Sequence, residues 1–230
     1  LISAGVEWRL SPSAPWHKVV KNGDNIPEIA QVRLLDSAEA KYLSRGGLKL
    51  QGALAAAALN VSGLRCLDVG QSTGGFTDCL LQAGARHVVG VDVGHDQLHA
   101  QLRGDPAITA IEGINCRALT SADLGKAFPS GGFDLIVGDV SFISLTLVLP
   151  QLPPLLADDG DLLLLVKPQF EVGPGNVGKG GIVRDPSLYQ EVEARLRQCA
   201  ATLGLSVRDW LDSPITGGDG NREFFIWLKK

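Results

Sequence analysis

Methionine is absent from the 230 residues, and the chain opens at Leu1. Such a chain is expected to lack the natural start of its protein, along with any upstream targeting segment. No basic, apolar, small-residue succession opens it, so no signal peptide is visible. Long apolar runs are missing as well. Leu162 to Val166, among the longest, is far too short to span a bilayer. Cysteine is scarce, with four residues at 66, 79, 116 and 199, and none forms a CxxC pair, which leaves zinc and redox motifs without support. Cys66 and Cys79 have apolar neighbours and read as small core residues. Reduced thiols without a secretion signal favour the cytoplasm. A basic excess is also lacking: the net charge is −4, whereas RNA enzymes usually present a basic face. Net charge does not report distribution, however. Lys41, Arg45 and Lys49 cluster ahead of the apolar core, and Lys179 and Arg184 share one loop, so a local basic cleft for RNA is compatible with an acidic chain.

What is present is a globular composition, 45% hydrophobic and 20% charged, and enough length for one domain plus a small appendage. Residues 1–40 read as a separate β-rich piece. Val19 and Val20 lead into a turn signal at Asn22-Gly23, and Pro12, Pro15 and Pro27 break any helix. The piece is too small to hold its own core. From residue 41 to 230 strands and helices alternate. Strands are expected over 65–69, 87–91, 108–112, 133–137, 162–166, 207–211 and 223–228. Helices are expected over 48–59, 75–83, 96–103, 144–156 and 186–203. Apolar strands that do not alternate imply burial on both faces. The expected fold is α/β and Rossmann-like: a seven-stranded mixed sheet with helices on both faces, the last strand antiparallel beside the one ending at Lys167.

The stretch Asp68-Val69-Gly70-Gln71-Ser72-Thr73-Gly74-Gly75-Phe76 joins the first core strand to a helix. Glycines there allow close backbone approach to a ligand, and the helix start offers free N–H groups. Asp92 follows 24 residues after Asp68, at the end of the next strand, where an acid can accept from both hydroxyls of a ribose. Neither GK[ST] nor GxGxxG is present, so phosphate-loop and dinucleotide fingerprints fail. Asp68 ahead of the glycines suits a cationic ligand end, such as the sulfonium and amino group of S-adenosylmethionine, and would repel a pyrophosphate. The expected cofactor site comprises Asp68, Gly70, Ser72, Thr73, Gly74, Gly75, Phe76, Asp92, Val93, Asn115 and Asp139, with a turn used only for packing as the alternative.

In open parallel sheets, ligands bind outside the carboxyl ends of the strands. Asp139 and Lys167 each stand at such an end, and Pro168 stops the Lys167 strand directly. An antiparallel last strand would bring Glu223 to the same edge, and Lys49 could reach over it from the preceding helix. Methyl transfer to an alcohol-like acceptor would need a group that takes the hydroxyl proton. A partly desolvated lysine can do so, with carboxylates to orient it and a second lysine to steady negative charge. His95 and His99 stand four apart on an expected helix, but no third ligand is evident, so no metal is expected. The glycine-rich segment from Pro168 to Pro186 has the length of a lid.

These residues fall into recognisable motifs. Tyr42-Leu43-Ser44-Arg45-Gly46-Gly47-Leu48-Lys49-Leu50, the Asp68 to Phe76 turn, Asp139-Val140-Ser141-Phe142-Ile143-Ser144, Val166-Lys167-Pro168-Gln169-Phe170-Glu171 and Gly178 to Asp185 resemble, in order, the TlyA (hemolysin A) family of FtsJ-like ribose methyltransferases. So do Ser213 to Gly217 and Gly220 to Phe224. The resemblance covers roughly residues 41–230. It implies a catalytic Lys-Asp-Lys-Glu tetrad on Lys49, Asp139, Lys167 and Glu223, S-adenosylmethionine as cofactor and cytidine 2′-hydroxyls of ribosomal RNA as substrate; the charge pattern, rather than the resemblance, directs Lys41, Arg45, Lys179 and Arg184 toward RNA. The resemblance also implies that Leu1 to Gly5 ends the recognition helix of a ribosomal-protein-like RNA-binding domain, with the rest of 1–40 its β-rich tail. Two other readings compete: a cofactor- or RNA-binding protein that has lost catalysis, and the toxin that the family's name suggests. The four filled tetrad positions speak against the first. The lack of a spanning segment or a basic amphipathic helix speaks against the second.

Overall fold

The computed structural model describes residues 6–19, 25–34 and 41–230; the Asn22-Gly23 turn and the Leu1–Gly5 segment lie outside the described residues. Strands β1 (Val6–Arg9), β2 (His17–Lys18) and β3 (Gln31–Leu34) form a small antiparallel sheet with β1 in the middle. The guanidinium groups of Arg9 and Arg33 lie over the Trp16 ring at 4.4 and 4.1 Å. Such contacts stiffen strands too short to bury a core.

The larger sheet holds β4 (Arg65–Val69), β5 (His87–Asp92), β6 (Ile108–Glu112), β7 (Phe133–Gly138), β8 (Leu156–Val166), β9 (Ser206–Asp212) and β10 (Phe224–Lys229), in the order β6-β5-β4-β7-β8-β10-β9. The five strands from β6 to β8 are parallel. β10 enters antiparallel between β8 and β9, with Phe224 opposite Val166. The seven-stranded mixed sheet and the antiparallel last strand are therefore as expected.

Side chains alternate between two cores. Leu67, Leu162, Leu164, Val166, Phe224 and Ile226 face the layer containing α4 (Leu145–Val148) and α5 (Pro186–Thr202). Cys66, Leu163, Leu165 and Phe225 face α1 (Arg45–Ala56) and α2 (Gly75–Gln82). This two-residue period fixes which side of the sheet each site residue occupies. Burial pushes the Cys66 and Cys79 thiols up to about 12 and about 11, as suits inert core residues.

Three expectations need correction. Residues 96–103 form no helix. Asp96 has φ of +57°, and Arg103 folds back to donate to the carbonyls of Leu98 and Asp96 at 2.8 and 2.6 Å, replacing helical partners. His95 and His99 accordingly do not share a helix face. The segment 144–156 is only one turn of α-helix followed by two 3₁₀ turns, because Pro150, Pro153 and Pro154 remove donors. Finally, α1 starts at Arg45, three residues before the expected Leu48. Its Gly47 is a packing residue, since a Cβ there would lie 2.4 Å from the Tyr42 ring.

Candidate active site

The strand order reverses around β4, whose neighbours are β5 and β7, so the loops after β4 and β7 diverge and leave a crevice at the carboxyl edge. Gly70 (φ +84°) opens the first loop, and a Cβ there would lie 2.9 Å from the Asp139 carbonyl. The crevice widens into a cleft of about 440 Å³ lined by Gly70, Ser72, Asp92, Val93, Gln97, Ile114, Asn115 and Asp139, with Ser141 to Ile143 along one wall. A narrower channel of about 150 Å³ shares Gly70, Ser72, Asp139 and Ser141 with it and continues past Thr73, Gly75 and Phe76 to Lys167. A larger concavity, about 640 Å³ beside Arg65, Arg86, His87 and Lys126, lies at the amino ends of the strands, away from this crevice.

The cleft fits the expected cofactor. Its lining carries the carboxylates of Asp92 and Asp139 and no lysine or arginine, which favours a cationic nucleoside over a phosphorylated one. Asp92 is fixed by the backbone N–H groups of Ser72 and Gly94, at 2.8 and 2.7 Å, and its remaining lone pairs are available to ribose hydroxyls. Asn115 accepts from the N–H of Arg117 at 3.0 Å, holding the turn after β6 at the cleft wall.

Asp68 and Gly74 do not line either compartment. Asp68 is fully buried between β4 and α2, where it accepts from the Thr77 hydroxyl at 2.7 Å, and Thr77 in turn accepts from Gln71 at 2.9 Å. Burial pushes its carboxyl up to about 7, against the Thr77 hydrogen bond that holds it down. One of its carboxylate oxygens is thus held by Thr77, and the other is buried without a hydrogen-bond partner. Gly74 (φ +92°) makes room for Leu102 and Leu98, a packing function.

The four tetrad positions meet at the carboxyl edge as two ion pairs. Continuing the alternation of Leu163 and Leu165, Lys167 points to the α1 side of the sheet, and Glu223, two before Phe225, does the same. Lys49 approaches from α1, its Nζ 2.6 Å from Glu223 Oε2, with the two side chains 9% and 2% exposed. Lys167 Nζ stands 2.5 Å from Asp139 Oδ1 and donates to Ser141 Oγ at 2.7 Å. Burial raises the Glu223 carboxyl above its ordinary value, while Lys49 partly offsets this.

Of the residues expected toward RNA, Lys41, Lys179 and Arg184 are exposed. Arg45 is half-buried and donates to the Thr216 carbonyl at 3.0 Å, so part of its guanidinium is committed to the fold. Sequence reasoning missed several lining residues: Ser44, Gln97, Ile114 and Ser141 carry no motif chemistry of their own. It also missed Phe142, 90% exposed at the cleft wall with φ +62°, its ring centroid 5.0 Å from that of Phe170. The segment 168–185 is held rather than free. Buried Asn221 accepts from the Val183 N–H at 2.9 Å and donates to the Gly181 carbonyl at 2.7 Å.

A parallel-sheet crevice shaped for a cationic nucleoside, with two lysine–carboxylate pairs beside it, defines the methyltransferase class. The FtsJ-like methyltransferase family matches residues 42–230, and the chain belongs to it. It is 45% identical over 210 residues to the 16S/23S rRNA (cytidine-2′-O)-methyltransferase TlyA of Mycobacterium tuberculosis, covering 91% of this chain and 76% of that one. A relative named Hemolysin A, from Brachyspira hyodysenteriae, is 38% identical over 90% of this chain and 81% of its own length. Among solved structures, one named for a hemolysin from Streptococcus thermophilus superposes with a TM-score of 0.82 at 39% identity, covering 100% of this chain and 80% of that one.

Proposed function

We propose that the protein transfers a methyl group from S-adenosylmethionine to the 2′-hydroxyl of cytidine in ribosomal RNA, with Lys49, Asp139, Lys167 and Glu223 as the reacting tetrad. The observation that carries this reading is the placement of the Lys167–Asp139 pair in the channel leading out of a cation-compatible nucleoside cleft, with the buried Lys49–Glu223 pair close enough for Glu223 to feel both charges. Gly70, Ser72, Asp92, Val93 and Asn115 would hold the cofactor's nucleoside, with Thr73, Gly75 and Phe76 along the channel. When bound, S-adenosylmethionine supplies an electrophilic methyl on a sulfonium centre. Lys167 accepts the proton of the ribose hydroxyl as the oxygen attacks, and Asp139 holds that lysine in place. Lys49, clamped by Glu223, presents a fixed positive charge to the developing oxyanion.

Exposed Lys41, Lys179 and Arg184, with the half-committed Arg45, are available as phosphate contacts, and exposed Phe142 offers a face on which a base can stack. The small sheet of β1, β2 and β3 supports reading a separate RNA-binding unit ahead of residue 41. Such a substrate places the work with ribosomes, in the cytoplasm. A lytic activity finds less support: no helix among the described residues is long and apolar enough to cross a membrane.

The test is incubation with labelled S-adenosylmethionine and unmodified ribosomal subunits, followed by mapping of methylated riboses. A methylated cytidine ribose is expected, and Lys167→Ala should lower turnover by about 10²- to 10⁴-fold with cofactor affinity nearly unchanged. Lys167→Arg should not rescue, because arginine stays protonated. Label appearing on a base instead of a ribose would refute the assignment.

A further inference from the structure

We propose that Ser141 is a positioning residue for Lys167, acting with Asp139 to aim the lysine lone pair at the substrate hydroxyl. The inference rests on the reading of Lys167 as the base and adds a residue to it. A neutral lysine amine has two N–H bonds and one lone pair in a tetrahedral arrangement, and its protonated form has three N–H bonds. Lys167 Nζ donates to Ser141 Oγ at 2.7 Å, while Asp139 Oδ1 stands against it as an ion pair without forming a hydrogen bond. With one hydrogen fixed on Ser141 and the nitrogen held against the carboxylate, the lone pair is confined to the remaining directions. With Asp139 alone the amine can rotate about Cε–Nζ and spend most of its time aimed elsewhere.

Ser141 stands where this matters. It lines both the cofactor cleft and the channel to Lys167, so its hydroxyl sits at their junction. The backbone also shows that the position is enforced. Phe142, the next residue, has φ of +62°, an uncommon value for a bulky side chain. Strain of this kind persists only where neighbouring structure over-determines it. Here Val140 is anchored in the core on one side. On the other, buried Glu171 accepts from Ser144 Oγ and Leu145 N, both at 2.7 Å. Glu171 lies four residues after Lys167, so the segment that carries the lysine also pins the turn that carries Ser141.

The proton balance is simple. The ribose O–H bond breaks as a third N–H bond forms on Lys167, the oxygen's electron pair forms the new C–O bond, and the sulfur leaves with its pair. The resulting ammonium keeps one hydrogen on Ser141 beside the Asp139 carboxylate and later releases one proton to water.

The experiment measures turnover on ribosomal subunits, KM for the subunits and affinity for S-adenosylhomocysteine in Ser141→Ala, Ser141→Thr, Lys167→Ala and the Ser141→Ala/Lys167→Ala double variant. Ser141→Ala should lower kcat by about 10- to 100-fold, a part of the general-base contribution, with KM and affinity unchanged. Ser141→Thr, which keeps the hydroxyl, should recover most of it. In the Lys167→Ala background, loss of Ser141 should cost nothing further, since it acts through the lysine. An equal loss in that background, or a loss expressed in affinity alone, overturns the proposal. If Lys167→Ala is inactive while Ser141→Ala is normal, the positioning role falls and the base assignment stands. If Lys167→Ala is fully active, both fall.

Discussion

The Lys49–Glu223 pair gives the sharpest test of why these charges are buried. Exposures of 9% and 2% mean that both ions have left water, and burial of such a pair is weak evidence for stability because desolvation offsets the attraction. Removing one partner is another matter. Glu223→Ala strands the Lys49 ammonium in a dry site, which costs about 3–5 kcal/mol. For a chain of this size each kcal/mol shifts the melting midpoint by about 2–4 °C, so a fall of roughly 6–20 °C is expected. Replacing both residues, as Lys49→Met with Glu223→Leu, removes the stranded charge and should return the midpoint to near the parent value or above it. Methyl transfer should be lost in both variants.

The assay is thermal unfolding followed by circular dichroism, run beside turnover on ribosomal subunits. Gly217 supplies a control from the other side of the carboxylate. A Cβ there would sit 2.7 Å from Glu223 Oε1, so Gly217→Ala should disturb the pair without deleting either charge. A double variant that stays active would refute the placement of this pair in the chemistry. A Glu223→Ala variant as stable as the parent would refute the claim that the lysine depends on it.

Two further outcomes follow from the cleft and the turn. Calorimetry should show binding of S-adenosylmethionine or S-adenosylhomocysteine but not of NAD or ATP, and Asp92→Ala should weaken it by at least 10-fold, about 1.4 kcal/mol for hydrogen bonds to a charged group. Asp68 makes stability pH-dependent: its folded value near 7 lies above the ordinary carboxylate value. The folded state therefore holds the proton more tightly, and this contribution is complete below about pH 4 and lost as pH rises through 7. At about 1.4 kcal/mol per unit the full effect is up to about 4 kcal/mol. Asp68→Asn should flatten denaturant midpoints measured between pH 5 and 8.5, and an unchanged slope would count against the buried carboxyl.

Much of the fold was legible because its strands are buried on both faces. Leu162 to Val166 reads as an uninterrupted apolar run and Phe133 to Val137 as one broken only by Asp134, and a run that stops at Lys167-Pro168 marks a strand end carrying a charge. Strand ends in a parallel sheet converge, which is why Lys49, Asp139, Lys167 and Glu223 were expected to meet; the structure brings them together as two ion pairs, and their catalytic role is a proposal. What depended on backbone detail was not legible. Residues 96–103 carry helix-compatible side chains, yet Asp96 at positive φ and the Arg103 side chain satisfy the carbonyls in another way. Asp68 looked like a ligand to the cofactor because its position in the motif says nothing of the side on which it points; the sheet's two-residue period turns it toward Thr77. Ser141 lies inside a recognised motif, but its contact with Lys167 depends on backbone conformation that the motif does not specify.

The antiparallel insertion of β10 bears directly on the chemistry. A seventh strand entering parallel to β8 would bring its carboxyl end, Lys229-Lys230, to the edge where Asp139 and Lys167 stand, and would carry Glu223 to the far side. Entered antiparallel, with Phe224 opposite Val166, the strand delivers its first residues to that edge instead. Register then settles the face. Phe225 lies in the α1-side core, so Glu223 shares that side and meets Lys49, while a slip of one residue would aim it into the opposite core. The same alternation along β8 carries Lys167 to the α1 side. One strand direction and one register thus place an acid against a helix-borne lysine and put that pair beside a second lysine held by Asp139. The residues of the tetrad are spread over 174 positions of sequence, from 49 to 223, but three of the four are positioned by hydrogen bonding within a single sheet.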